Sequence, residues 1–254
     1  AYSRRYLKNK ESAQLYQLQA TKYLMQGQLD SALILSDQAV QIAKRSAGSW
    51  TLINALQAQA EIFWQANLLD KAVQRAIFSL QLAEESKLPY FKIRPLVLIS
   101  AISLEVGNNE QTIAYAKRAQ NLANKFQDEL YLGFTSLILS EHYLQAQQTM
   151  RAQINLNFAL AYFKKINNLE ALNRAILCQA SIADARNQDA STYFLQLEKF
   201  LNTSSHTTLS DKFHLEYGKY FLKKKQFGLA EKHFNAVLDQ INSSDQIRPQ
   251  IAVA

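Results

Sequence analysis

The sequence predicts an all-α protein, a solenoid of about six helical hairpins, and three observations carry that expectation. The first is a column of small residues, Ala20, Ala60, Ser100, Ser140, Cys178 and Gly218, spaced by 40, 40, 40, 38 and 40. A second column runs twelve residues behind it: Ala32, Ala72, Thr112, Ala152, Ala190 and Ala230. Two columns sharing one period mark a stack of like supersecondary units. The second is periodicity. In the stretch from Asp30 to Val40 the apolar residues fall at three- and four-residue steps, as on one helical face. The third is composition: six Gly and three Pro in 254 residues are too few for the turns of an all-β chain.

Each unit has a break seven residues after its first small residue. The breaks are Gly27-Gln28, Asn67, Gly107-Asn108-Asn109, Gln147-Gln148, Ala185-Arg186-Asn187 and Lys225-Gln226. A helix is expected on either side, and Asp30 and Asp70 stand where an N-cap would accept backbone N–H bonds. The small columns have a packing reason, because two antiparallel helices approach closely only where the side chains at their crossing are small.

Taken in order, residues 1–12 read as a basic, polar lead-in, and 13–242 as the solenoid. The first repeat covers about 13–46, with Ser46-Ala47-Gly48-Ser49 as a loop, and the second covers 48–86. Pro89 marks a helix boundary, and Pro95 is expected in the first turn of the next helix, where its missing N–H does no harm. The third repeat runs to Phe126, the fourth from Asp128 to Ile166, and the fifth from beyond Asn167-Asn168 to Asn202. A polar linker, Thr203 to Thr208, precedes the sixth, and residues 243–254 read as a flexible tail.

This layout resembles the tetratricopeptide repeat (TPR) family in its long variety of about 40 residues. The second helical Ala of the family is matched by Ala39, Ser79, Ala119 and Ala159, and replaced by Leu197 and Val237. The first-helix aromatic is matched by Tyr23, Phe63, Tyr143 and Phe221, with Ser103 and Ser181 departing. The closing proline is replaced by Lys44, Glu84, Asn124, Lys164, Asn202 and Asn242, so the second helix should run on and lengthen the repeat. The resemblance implies a right-handed superhelical solenoid with a concave groove lined by the first helices. On that reading the groove presents Gln14, Gln17, Thr21 and Met25, then Asn54, Gln57, Glu61 and Gln65. Arg94, Val97, Ala101 and Glu105 follow, and then Phe134, Leu137, Glu141 and Gln145. The family's Lys/Asn/Arg clamp for a C-terminal carboxylate is not reproduced, and the first half of the groove is amide-rich and mildly acidic. Glu61-Ile62-Phe63-Trp64 and Leu88-Pro89-Tyr90-Phe91 are loosely similar to subunit five of the anaphase-promoting complex.

Charge and chemistry narrow the function. The net charge is +7, with seven basic and three acidic residues in 1–50 and seven and five in 208–254. The excess lies at the ends rather than along a stripe with stacking aromatics, so a nucleic acid is not the expected partner. No apolar run is long enough for a membrane span. The single Cys178 suits a reducing, cytoplasmic setting and reads as a packed thiol. The chain starts at Ala1 without an initiating Met, which reads as a fragment or processed chain.

No phosphate loop, Cys pair or His-Glu-x-x-His helix occurs, and His142, His206, His214 and His233 are scattered. The expectation is no enzyme, no cofactor and no metal. Lys212, Lys219 and Lys223 share a helical stripe, read as a solvated last repeat before an anion site. Trp64 falls in the column Leu24, Trp64, Leu104, Leu144, Ile182 and Leu222, read as packing before a binding anchor. Two functions remain open: a scaffold holding a protein or extended peptide in its groove, or a ligand-sensing module of a signalling or transcription regulator. Homo-oligomerisation stays open too.

Overall fold

The computed structural model describes residues 2–45, 48–203 and 207–245, with backbone alone for 2–7, 207–208 and 240–245. Among the described residues the chain is all α-helical, built of TPR-like hairpins. Residues 1–169 and 170–254 form two compact units. The first holds α1 (Tyr2–Met25), α2 (Leu29–Arg45), α3 (Ser49–Gln65) and α4 (Leu69–Glu85). After a 3-10 turn at Pro89–Lys92 come α5 (Ile93–Glu105), α6 (Asn109–Phe126), α7 (Glu129–Gln145) and α8 (Thr149–Lys165). The second unit holds α9 (Leu169–Ala185), α10 (Ser191–Leu201), α11 (Thr207–Lys223) and α12 (Phe227–Asp245). Pro89 and Pro95 lie at the start of the 3-10 turn and in the first turn of α5, as their chemistry demands.

Joints recur every twenty residues rather than every forty. Asn67, Lys87, Gly107, Gln127, Gln147, Asn167 and Asn187 all have φ between 53° and 75°. Gly27 and Lys225 do the same at the two ends of the series. At each joint the left-handed residue stops the helix, and the next N–H turns back to a carbonyl five residues earlier. Leu68 bonds Phe63, Leu88 bonds Ala83, Asn108 bonds Ser103 and Asp128 bonds Ala123, at 2.8–2.9 Å. This is the Schellman closure, which satisfies otherwise orphaned helix carbonyls. In the second and fourth hairpins both helices are 17 residues long and separated by three, which makes the 40-residue period.

That geometry corrects the expected caps. Asp30 and Asp70 lie inside the first turns of α2 and α4, because the chain re-enters helix immediately after the left-handed residue. Their carboxylates there complement the helix dipole instead of capping it. Side-chain caps are made instead by residues such as Asn108, accepting from Gln111 N at 3.1 Å, and Asp128, accepting from Tyr131 N at 3.2 Å. The expected lead-in, 1–12, is helical from Tyr2 and forms the first half of α1. Of the expected tail, 243–245 close α12, and 246–254 lie outside the described residues, as do Ser46, Ala47 and residues 204–206 of the linker.

Both small columns are buried along their whole length. They meet one another: Ser100 Oγ donates to Thr112 O and Ser140 Oγ to Ala152 O, each at 2.8 Å. A serine hydroxyl can reach a carbonyl of the facing helix only where the two backbones are close. One register differs from expectation. The joint of the fifth repeat is at Asn187, so Ala180, not Cys178, stands seven residues before it. Both are buried. The two-residue shortfall lies beyond Asn187, where α10 has only 11 residues.

Hairpins of the first unit solve one packing problem in two ways. In the second and third, a large residue on the first helix sits at the level of a small one on the second, Ile53 with Ala83 and Ile93 with Ala123, all fully buried. The fourth inverts the pair. Gly133 lies under the ring of Phe163, which is also fully buried, and a Cβ on Gly133 would fall within 3.0 Å of that ring. Within this unit α1 packs on α3, α3 on α5 and α5 on α7, whereas successive second helices hardly touch. The first helices thus line the inner side of its bend.

Candidate functional site

The inner face of α1, α3, α5 and α7 is polar, and much of its polarity is spent between repeats. Gln17 Nε2 donates to Asn54 O at 3.4 Å, and the buried Gln57 donates to Phe91 O at 2.7 Å. Glu61 and Arg94 form a two-pronged ion pair, Nε to Oε1 at 2.6 Å and Nη2 to Oε2 at 2.5 Å. A guanidinium fork matches a carboxylate in this way, so the pair fixes orientation as well as charge. Burial alone would lower the pKa of Arg94, but the charge and hydrogen bonds of Glu61 outweigh it and raise it. Tyr131 stands close to both. Burial pushes its hydroxyl well above the ordinary tyrosine range, with Arg94 pulling the other way. Farther along, Trp64 Nε1 donates to Glu105 Oε2 at 2.7 Å.

Trp64 is therefore half-buried packing against Ala101, Leu104 and Ile138, with its one polar atom satisfied. At the outer edge Tyr90 donates to Asp128 Oδ2 at 2.8 Å, and that bond leads the rise in its pKa. Asp128 thus caps α7 with one oxygen and holds Tyr90 with the other. Phe134 packs edge-on against Phe163 with ring centres 5.2 Å apart.

The sequence-chosen residues divide accordingly. Gln17, Asn54, Gln57, Glu61, Arg94 and Glu105 are joined in bonds from one hairpin to the next. Thr21 is exposed and bonds only its own helix, through Gln17 O. Gln14 and Glu141 are half-buried, and Gln65 and Gln145 are exposed. Glu141 has no hydrogen-bond or ion-pair partner among the described residues, whereas Glu61 is neutralised. Sequence reasoning missed Tyr131 and the Glu61–Arg94 pairing. Their spacing of 33 was the available signal, since it is one repeat less two helical turns.

The second unit carries the remaining chemistry. Lys219 bonds Glu216 at 2.7 Å, and Lys223 bonds Asp184 O and Oδ1 at 2.6 and 3.2 Å. Two members of the lysine stripe thus serve their own unit. The histidines are not all scattered: His214 Nδ1 and His233 Nδ1 are 2.8 Å apart. One must carry its proton on Nδ1 and the other must not, so the pair holds opposite tautomers. Around it lie Phe213, Tyr217 and Phe221, and Phe194 stacks on Tyr217 at 4.4 Å. Burial, then His214, then Lys232 lower the pKa of His233 to about 4. Burial also lowers that of His214, against an upward pull from Glu198 and with Lys232. Cys178 is buried. Among the described residues no group of three or more His, Cys, Asp or Glu could hold a metal. No helix among them is long and apolar enough to cross a membrane.

No protein-family profile matches the chain, and no curated protein matches it by sequence. Solved structures do match in fold. Aspartyl phosphate phosphatase F from Bacillus subtilis superposes with a TM-score of 0.72 at 21% identity, over 91% of this chain. The chain spans 60% of the length of that phosphatase. A Rap protein complexed with competence and sporulation factor matches with a TM-score of 0.73 at 11% identity, over 92% of this chain and 76% of that one. A signal-transduction ATPase with numerous domains and a tetratricopeptide repeat sensor, from Pyrococcus horikoshii, matches at 0.58 and 14% identity. The alignment covers 94% of this chain and 38% of that protein.

Proposed function

We propose that this chain is a non-catalytic interaction module whose first-helix face in residues 1–169 holds a partner protein or an extended peptide. One observation carries the reading. Gln17, Gln57, Glu61 and Arg94 tie the first three hairpins to each other, while Gln14, Gln65, Glu141 and Gln145 stay unspent along the same face and Thr21 bonds only Gln17 O of its own helix. Amides in line can serve both donors and acceptors of an extended backbone. The match to a Rap protein solved in complex with competence and sporulation factor supports the reading through its fold. With Glu61 taken by Arg94, the carboxylate left for a basic side chain of the partner is Glu141.

The second reading is a sensing module within a larger signalling protein, and the fold of the ATPase with a tetratricopeptide repeat sensor favours it. The scaffold reading, by contrast, has its likeness to subunit five of the anaphase-promoting complex only in the two short strings. Pull-down with mass spectrometry separates the readings by whether a stable protein or a small ligand is recovered. The site itself is tested by titrating the recovered partner against Glu141→Lys. Affinity should drop several-fold, in line with the ~0.2–1 kcal/mol of an exposed ion pair plus the new repulsion, and salt should erode the parent's affinity alongside. Equal affinity for parent and variant places the contact on another face.

A further inference from the structure

The first helix leaves uncovered a face that the second, third and fourth hairpins bury. On α1 the residues Lys8, Glu11, Leu15, Leu18, Lys22 and Met25 recur at alternating steps of three and four, one stripe of a helix. All six are exposed, Leu15 at 55%, Leu18 at 69% and Met25 at 64%. One period later the places of Leu15, Leu18 and Lys22 are held by Ala55, Ala58 and Ile62, two periods later by Pro95, Leu98 and Ile102, and then by Thr135, Ile138 and His142. All nine are buried. They lie where α2 packs on α3, α4 on α5 and α6 on α7, and Gln59 Nε2 donates to Asp37 of α2 at 2.5 Å. On the first hairpin the matching ground is open. A groove of about 360 Å³ between α1 and α2 is lined by Gln19, Lys22, Tyr23, Ser31, Ile34 and Leu35. The stripe therefore continues the repeat-to-repeat interface, and a helix is the shape that fits it.

We propose that the helix is α1 of a second copy of this chain, packed antiparallel about a two-fold axis. The charges choose that occupant. With the axis between Tyr16 and Gln17, Leu15 of one copy meets Leu18 of the other, and Glu11 meets Lys22. Each contact occurs twice, as an isologous interface requires. The apolar pair lies at the centre and the ion pairs flank it, the order seen in helix seams. A parallel pairing would set Glu11 against Glu11 and Lys22 against Lys22. The stripe is self-complementary in one direction only.

Sedimentation equilibrium of the 254-residue chain from micromolar to sub-millimolar concentration tests this. The expected result is a reversible dimer. Leu15→Glu with Leu18→Glu should give a monomer of unchanged helicity, since both positions are exposed in the single copy. Glu11→Lys should weaken the dimer about tenfold, because two ion pairs become two repulsions. Glu11→Lys combined with Lys22→Glu should restore it. A monomer at every concentration overturns the proposal and leaves the stripe to a helix other than α1 of a second copy. A dimer indifferent to the leucine substitutions overturns it by placing the interface elsewhere. A double charge reversal as weak as the single one overturns the antiparallel register.

Discussion

The two units of the chain keep the same helices in place by different means. In residues 1–169 the period is 40, the crossings are made of Ala, Ser, Thr and Gly, and three of the hairpins have their own fitted pair, such as Ile93 with Ala123 or Gly133 with Phe163. In residues 170–254 the period drops to 38, α10 shrinks to 11 residues, and a shared group of rings fills the interior. Phe194, Phe213, Tyr217 and Tyr220 are all at most 7% exposed there, with the two histidines among them. Large flat side chains can close an irregular gap that a column of alanines cannot, because they span several ångströms and still pack edge to face. Regular repeats are held by fit at the crossing, and the sixth hairpin repeats the device with Gly218 under the ring of Phe234; the irregular fifth is held by a common cluster.

The largest effect should come from breaking a fitted pair. Phe163→Ala is expected to destabilise the first unit by about 3–5 kcal/mol, since the ring is fully buried over a glycine and nothing can collapse into its place. Adding Gly133→Ile copies the arrangement of the third hairpin and should recover part of the loss, whereas Gly133→Ile alone should clash with the ring. Denaturant melts of the four members of the cycle measure the coupling. Additive effects would mean that the inversion between the third and fourth hairpins is not one compensated pair.

A smaller effect, confined to the second unit, should appear with pH. His233 is neutral in the fold, with its pKa depressed from 6.5 to about 4. A depressed folded pKa means that protons favour the unfolded state. The stability of this unit should be undiminished above pH 6.5, fall as the pH drops toward 4, and lose nothing more from this group below that. Hydrogen exchange of α11 and α12 amides should therefore speed up relative to α5 and α6 in the same molecule over that window. In His233→Phe the difference between the units should shrink. Parallel acceleration in both units would remove the histidine pair as its cause.

The smallest effect concerns what the units share. Lys87, Gln127, Gln147 and Lys225 occupy the left-handed region, where a Cβ costs about 1–2 kcal/mol that glycine does not. Against that, glycine loses more freedom on folding. Gln147→Gly should therefore raise the stability of the first unit by about 0.5–1 kcal/mol, read as a shift in melt midpoint. A destabilised variant would show that the Gln147 side chain contributes more than its backbone strain removes.

These residues also explain how far the sequence could be read. The columns around Ala60 and Ala72 carried the fold, because close helix crossings restrict residue size wherever they occur. Gly27 and Gly107 disclosed their joints for a similar reason. The joints at Lys87 and Gln127 were placed only as repeat boundaries, since Schellman closure is a backbone arrangement that a long polar side chain tolerates and does not announce. The lost pair of residues was placed at Cys178 because Ala180 and Cys178 are both small, and size alone could not separate them. The inner face was legible as a set of positions, Glu61 and Arg94 included. What was hidden was that these two neutralise each other, which depends on how hairpins stack rather than on any one helix.

The joints at every twentieth residue act on the chain much as a reading frame acts on a message. A helix turns about 100° per residue, so two residues lost inside α3 or α7 would rotate every later side chain of that helix by about 200° and put its buried stripe in solvent. A loss next to a joint only shortens one helix, and a gain of a whole helix with its joint restores the phase. The two-residue step of this chain falls between Asn187 and the start of α11 at Thr207, so α11 and α12 resume with their own joint at Lys225. Length changes in such an array are silent at its punctuation and destructive within its words.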